Sequence, residues 1–305
     1  AGKTERFEEP GEPGDAAAPR LGVRGPLREI DGERVHEHAA RLGVSEPAVR
    51  ILFGRGVVEL EKQEQFLRPR LADLRPPAGM AGFEAAIELL RTAWRERWRV
   101  GVFGDYDVDG VTTTTILTTY LEAIGIEVVA RVATREGGYG FSQAEAEVLR
   151  EAGVRLVLTG DCGTSDHEAL EWLKVRGIPT IVIDHHQVPE QMPPAAALLN
   201  PHQLGCDFPF KGLCSAGVAF YLCAALRSAL GRESATPLPD PRQWLDLVAL
   251  GTVCDMVPLL AENRILVRHG LTVVGADHQI ALRRDQPGEA HKRRLDRVQV
   301  REDVR

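Results

Sequence analysis

The chain has 305 residues, 44% hydrophobic and 27% charged, with a formal net charge of −7. This is the profile of a globular protein long enough for one large domain or two smaller ones, and no apolar run approaches the length of a bilayer span, so no membrane contact is expected. The acidic balance gives no support of its own for a nucleic-acid partner, although carboxylates neutralised by a cation would contribute to it.

Residues 1–26 mix charge with Pro and Gly around no apolar centre. They do not read as a signal peptide, and a disordered leader is expected over 1–30. The five cysteines, Cys162, Cys206, Cys214, Cys223 and Cys254, are unevenly spaced and include no Cys-x-x-Cys pair. That argues against a zinc ribbon or a disulfide framework and for a reducing, cytoplasmic compartment. Over 31–98, apolar residues recur at three- and four-residue spacing in 34–42, 46–53, 61–66 and 82–98. Breaks such as Gly54-Arg55-Gly56 and Arg75-Pro76-Pro77 separate them. The pattern predicts a small helical region with no catalytic feature of its own.

From residue 99 the period changes. Strand-like apolar runs fall at 100–103, 126–132, 156–159 and 178–183, with a shorter one at 196–199. Helical stretches alternate with them at 111–124, 142–152 and 165–176, and two more follow at 215–230 and 241–250. The alternation predicts an α/β domain over 99–260, with a parallel sheet flanked by helices.

Residues with chemistry to offer fall at the ends of those strands. Asp105, Asp107 and Asp109 alternate just past the first, where Gly104 marks a turn and Gly110 opens a helical segment. Alternate acids at a strand end put like charges within a few ångströms, which is costly unless a cation neutralises them. Taken alone, the motif also reads as a solvated acidic turn. A calcium loop of the EF-hand kind is excluded, because its twelfth position, counted from Asp105, is Ile116 and its flanks read strand then helix. No Gly-Lys-Ser/Thr follows, so it is not a phosphate loop either. Asp161 ends the run at 156–160, Asp184-His185-His186 follow 181–183, and Asp255 follows a helical stretch. The carboxyl ends of parallel strands share one edge, where ligands bind in open α/β sheets.

Carboxylates with an imidazole make a hard, oxygen-rich donor set. It suits Mn²⁺ or Mg²⁺, the histidine favouring Mn²⁺. There are enough acids for two ions about 3.5–4 Å apart, an arrangement that activates a water and stabilises the leaving oxygen of a phosphoryl ester. Cys162 and Cys254 adjoin proposed ligands, but neighbouring side chains point apart, and both are expected to be small buried residues.

These motifs together resemble the DHH phosphoesterases, named for the triplet present here as Asp184-His185-His186. In order they are Gly104-Asp105-Tyr106-Asp107-Val108-Asp109-Gly110, Asp161-Cys162-Gly163, the triplet, and Gly251-Thr252-Val253-Cys254-Asp255-Met256-Val257-Pro258. Within that superfamily the chain is similar to the RecJ-type single-strand DNA exonucleases. Phe66-Leu67-Arg68-Pro69, Glu136-Gly137-Gly138-Tyr139-Gly140 and Asn200-Pro201-His202 support the branch. The resemblance implies that Asp107, Asp109, Asp161, His185 and Asp255 ligate the metals, with Asp161 as the bridge. It implies catalytic roles for Asp105, which supports the site from its loop, and for His186, which faces the substrate phosphate. Asp184 would stand behind the ligands. Arg135 is a candidate phosphate contact, with a solvated surface arginine as the alternative. Ser215-Ala216-Gly217 at a helix start would let backbone amides approach an anion of the substrate, with close helix packing as the alternative.

Two departures bear on that reading. Some relatives carry His where this chain has Phe103, which implies fewer protein groups on one ion. RecJ-type enzymes also continue through a connecting helix into a second substrate-binding domain. Here the resemblance fades after Leu271, so residues 261–305 are expected to hold the start of a connecting helix and a divergent basic tail. The expected function is metal-dependent hydrolysis of phosphodiester bonds, 5′→3′ on single-stranded DNA, in DNA repair or recombination. Single-stranded DNA is the expected partner, together with a separate second domain or repair and replication proteins. Two alternatives remain at this stage. One is the same chemistry on small oligonucleotides, cyclic dinucleotides or pyrophosphate; the other is an inactive scaffold binding DNA or a replication partner.

Overall fold

The computed structural model describes residues 30–135 and 138–283. The expected leader up to residue 29 and the basic tail beyond residue 283 lie outside the described residues, as do Glu136 and Gly137. Contacts divide the chain into two compact units, at Leu67 and Arg68.

The first unit holds α1 (Gly32–Leu42), α2 (Glu46–Gly54) and α3 (Leu60–Leu67). Asp31 starts α1 by accepting a hydrogen bond from the Glu33 amide at 2.9 Å, satisfying a donor that the first helical turn leaves free. Gly43, at φ 65°, ends it in the left-handed conformation that suits glycine. Val35, Ala39, Leu42, Val49 and Phe53 form its core.

In the second unit, α4 (Phe83–Arg95) precedes a five-stranded sheet. The strands are β1 (Arg99–Gly104), β2 (Glu127–Val132), β3 (Leu156–Gly160), β4 (Thr180–Ile183) and β5 (Ala197–Leu199), all parallel, in the order β2-β1-β3-β4-β5. Between and after them run α5 (Val108–Ala123), α6 (Gln143–Glu151), α7 (His167–Lys174), α8 (Ser215–Leu230), α9 (Leu245–Cys254) and α10 (Ala261–Arg283). Successive strand residues face opposite sides. Val100, Val102, Leu156, Leu158, Ile181 and Ile183 therefore share one core with α4, α5, α8 and α9. Phe103, Val157 and Val182 enter a second core with Leu149 of α6 and Leu170 and Leu173 of α7. Burial on both faces is why these strands read as continuous apolar runs.

The helical stretch expected over 31–98 is apportioned between the two units. In the second, Phe83, Ala86, Leu90 and Ala93 of α4 join the core under the sheet. Helix α5 begins at Val108, three residues before the predicted start. The carboxylate of Asp107 caps it, accepting from the Gly110 amide at 2.9 Å, so Asp109 lies in the first helical turn rather than in a loop. Helix α10 runs on to Arg283, past Leu271, where the resemblance fades. Gly270 lets it lie directly on the Leu245 backbone, where a Cβ would collide with the carbonyl.

Strand order reverses at β1 and β3, because the chain goes from β1 to β2 on one side and returns to β3 on the other. Such a reversal opens a crevice at the carboxyl ends. Backbone bonds then carry the acids across it in sequence. The Asp105 amide donates to Gly160 O (3.2 Å), that of Asp161 to Ile183 O (2.9 Å), and that of Asp184 to Leu199 O (3.1 Å). Each acid is thus the first residue past its strand and is still hydrogen-bonded to the neighbouring one.

The crevice depends on Gly110, whose missing Cβ would lie against the Asp105 backbone. Gly110→Ala is expected to lower unfolding free energy by about 1–3 kcal/mol in urea titration. Gly275→Ala in α10, where an added Cβ meets nothing within 4 Å, is expected to raise it by roughly 0.5–1 kcal/mol.

Candidate metal centre

Asp109, in the first turn of α5, is 1% exposed. Its two oxygens accept from the amides at the start of α8, Oδ2 from Ser215 at 2.7 Å and Oδ1 from Ala216 at 3.0 Å. The anion held by that helix N-terminus is therefore a side chain of the protein itself. Ser215 and Gly217, the candidate substrate contacts, have the surroundings of the alternative, close helix packing. Both are buried, the Ser215 amide is taken by Asp109, its hydroxyl donates to Asp161 Oδ1 at 3.0 Å, and a Cβ on Gly217 would press on Leu213.

Asp161 sits at φ 62°, a left-handed conformation that costs a non-glycine residue energy and recurs at functional sites. It turns the carboxylate towards His185, whose Nε2 lies 3.3 Å from Asp161 Oδ1, 3.4 Å from Asp255 Oδ2 and 3.9 Å from Asp109 Oδ2. Asp255 reaches this point from the C-terminal end of α9. Asp107, the cap of α5, is exposed and interacts with the Asp161 carboxyl group. Asp105 is buried and accepts from the Tyr106 amide at 2.8 Å.

Electrostatics separates these groups into two sets. Burial, then repulsion from Asp161, pushes Asp109 up to about 7. Burial, then Asp107, pushes Asp161 up to about 8. Burial likewise raises Asp105 and Asp255. Asp184 behaves in the opposite way. Burial alone would raise it, but hydrogen bonds from His186 and Thr164 outweigh that and hold it at about 2. Its Oδ1 accepts from the His185 and His186 amides (2.7 and 3.1 Å) and from His186 Nδ1 (2.8 Å), a bond that raises His186 to about 9. Asp184 is thus neutralised by protein, whereas Asp109 and Asp161 are not.

The donor set fits a divalent cation. His185 Nε2 and Asp255 Oδ2 are buried and neither makes a hydrogen bond, a condition that ordinary folded cores avoid. Among the described residues, two groups bring their donor atoms within 4.8 Å of one another: Asp109, His185 and Asp255, and Asp161, His185 and His186. Asp107 and Asp105 belong to neither. Phe103 lies in the apolar core, its ring 5.0 Å from that of Phe141. Arg135 is exposed, its guanidinium 5.9 Å from the Tyr106 ring. Cys162 is buried as expected, but Cys254 is exposed at the end of α9, because that turn of the helix borders the crevice rather than the core.

Reading strand ends did not reveal the residues that brace the centre. Asn200, fully buried past β5, donates to His186 O at 2.9 Å and to Thr164 Oγ1 at 3.3 Å. Asp166 accepts from the Gly163 and Phe141 amides at 2.9 and 2.8 Å, joining the loop after β3 to the approach to α6. For Asn200 the sequence signal was the Asn200-Pro201-His202 stretch. Asp166, by contrast, cannot be told from an ordinary helix cap by its position in the chain.

The model of the DHH family, N-terminal domain, matches residues 99–252, and the chain belongs to that family. Among its relatives, the single-stranded-DNA-specific exonuclease RecJ of Haemophilus influenzae is 40% identical over 213 residues, covering 68% of this chain and 37% of that protein. A crystal structure of exonuclease RecJ bound to manganese superposes with a TM-score of 0.58 at 38% identity, over 66% of this chain and 49% of that one. RecJ from Thermus thermophilus in complex with Mn²⁺ gives 0.65 at 36% identity, over 80% and 33%. The chain spans less than half the length of each.

Asp109 and Asp161 hold protons in the folded chain up to about pH 7 and 8 but release them near pH 4 when unfolded. The folded state binds more protons in between, so their contribution falls as pH rises. His186, raised to about 9, changes stability in the same direction between about 6.5 and 9. In EDTA, stability is expected to fall by on the order of 2 kcal/mol or more from pH 5 to pH 8, and Mn²⁺ to remove most of that slope. Separately, Asp184→Asn should bring the His186 titration, followed by imidazole NMR, from about 9 back towards about 6.5.

Proposed function

We propose that the chain is the catalytic part of a metal-dependent exonuclease that degrades single-stranded DNA from the 5′ end, in the cytoplasm and in the service of DNA repair or recombination. The observation that carries this is the convergence on His185 of two donor groups whose inner atoms, His185 Nε2 and Asp255 Oδ2, are buried without a hydrogen bond. The named relatives, which are single-strand-specific exonucleases, support the substrate.

Asp109, Asp161, His185 and Asp255 would hold two Mn²⁺ or Mg²⁺ ions, with Asp107 completing the set. Such ions supply a water nucleophile at neutral pH and charge stabilisation on the phosphoryl oxygens. The protein's part is positioning. Asp184 holds His186 by Nδ1 and keeps it charged, leaving Nε2–H to donate to a phosphoryl oxygen as charge builds there. Ser215 and Ala216 fix Asp109, and Ser215 fixes Asp161, so the donors need not reorganise. Asp105 would support the loop, and Arg135, exposed near the Tyr106 ring, would meet a substrate phosphate. A second substrate-binding domain or a repair protein would complete the path of the strand.

With Mn²⁺ and 5′-labelled single strands, the protein is expected to release short products, and Asp161→Ala to lose roughly 100-fold or more of that rate. His186→Ala should lose roughly 100-fold while calorimetry still detects metal binding. Equal turnover by the Asp161 variant, or activity indifferent to EDTA, would refute the assignment.

A further inference from the structure

The small unit at the start of the chain has a surface with no part in the metal centre. Gly43, Val44 and Ser45 alone separate α1 from α2. Gly43, at φ 65°, turns the chain in the left-handed region, and Val35, Ala39 and Leu42 of α1 pack with Val49 and Phe53 of α2. A helix pair joined by so short a glycine turn is the unit that, in DNA-binding proteins, offers its second helix to the major groove.

The outer side of α2 suits that role. Pro47, Arg50, Ile51 and Gly54 follow the three- and four-residue spacing of one helical stripe, and all are exposed, Ile51 by 58%. Arg55 is exposed directly after the helix. Among the described residues, neither the Arg50 nor the Arg55 guanidinium is in an ion pair. By contrast, Arg41 of α1 meets Glu37 at 3.1 Å, and Glu46 at the start of α2 meets His36 at 3.0 Å. Unpaired guanidiniums beside an exposed aliphatic side chain match a duplex, which offers phosphates along the groove and thymine methyls within it. Two further features favour a B-form duplex. Sequence-tolerant binding of a single strand relies on exposed aromatic rings, whereas Phe53, the one Phe, Tyr or Trp of the two helices, is buried against Arg34 and His38. Double-stranded RNA has a major groove too narrow to admit a helix.

We propose that α1 and α2 form a helix-turn-helix module whose second helix docks in the major groove of double-stranded DNA, with Arg50 and Arg55 on its phosphates. The duplex contact stands without the nuclease reading. Taken with that reading, on which this step rests, the preferred substrate is a strand whose single-stranded end adjoins a duplex.

The full chain is tested by fluorescence anisotropy in EDTA, so that no strand is cut. The probes are a blunt duplex of about 20 base pairs, roughly two turns, and a single strand of the same length. Arg50→Ala and Lys62→Ala each remove one exposed positive charge, the second from α3. Arg50→Ala should weaken duplex binding about tenfold and lower its salt dependence by about one counterion. Arg50→Lys should keep most of that salt dependence, and Lys62→Ala should bind duplex as the unaltered protein does. Each variant should cleave a single strand at the unaltered rate in Mn²⁺. No duplex binding by the unaltered protein, equal losses from Arg50→Ala and Lys62→Ala, or equal losses on duplex and single strand would overturn the module and leave the nuclease reading in place. Duplex binding that depends on Arg50, in a chain that cleaves no single strand, would uphold the module and overturn the nuclease reading.

Discussion

The centre is organised by an electrostatic debt. Asp109 and Asp161 are almost fully removed from water, lie close enough to repel each other, and face an imidazole nitrogen that makes no hydrogen bond. Burying one unpaired carboxylate is unfavourable; burying several around a common point is untenable without a proton or a cation. At acid pH the protons suffice, and at neutral pH the geometry calls for divalent metal.

The fold supplies the rigidity that this arrangement needs. Parallel strands end in register at one edge, and the amides of Asp105, Asp161 and Asp184 each bond to the end of the next strand. Three acids are thereby placed by the sheet ladder itself rather than by flexible loops. The two helices nearest the centre contribute in different ways. Helix α5 carries Asp107 as its cap and Asp109 in its first turn, and α8 points its N-terminal amides at Asp109. A carboxylate held between two helix N-termini can stay in place when its charge changes, because the dipoles that orient it are fixed.

Proximity does not give the carboxylates one role. Asp184 receives a hydrogen bond from His186 and amides from its own turn, so it stays ionised and its histidine stays charged. Asp109 and Asp161 receive too little to offset burial. The difference divides the site into a part neutralised by protein, which presents a charged imidazole, and a part left for metal. Pairs of titratable groups driven apart by their surroundings are a common sign of divided chemical labour.

Much of this was legible in the chain. Short apolar runs alternating with helical stretches determine a parallel α/β sheet, and Asp161, Asp184, His185 and His186 just past the strand ends determine which edge carries chemistry. Both follow from local rules: strand length, burial of both strand faces and the position of the turn. The sequence could not say that Asp109 belongs to a helix, because the cap made by Asp107 overrides the apolar pattern. Nor could it say that the amides of Ser215 and Ala216 are occupied by Asp109, more than a hundred residues away. The brace made by Asp166 was equally hidden. Such contacts depend on which strands become neighbours and on how closely α8 approaches α5, and only the packed chain decides that.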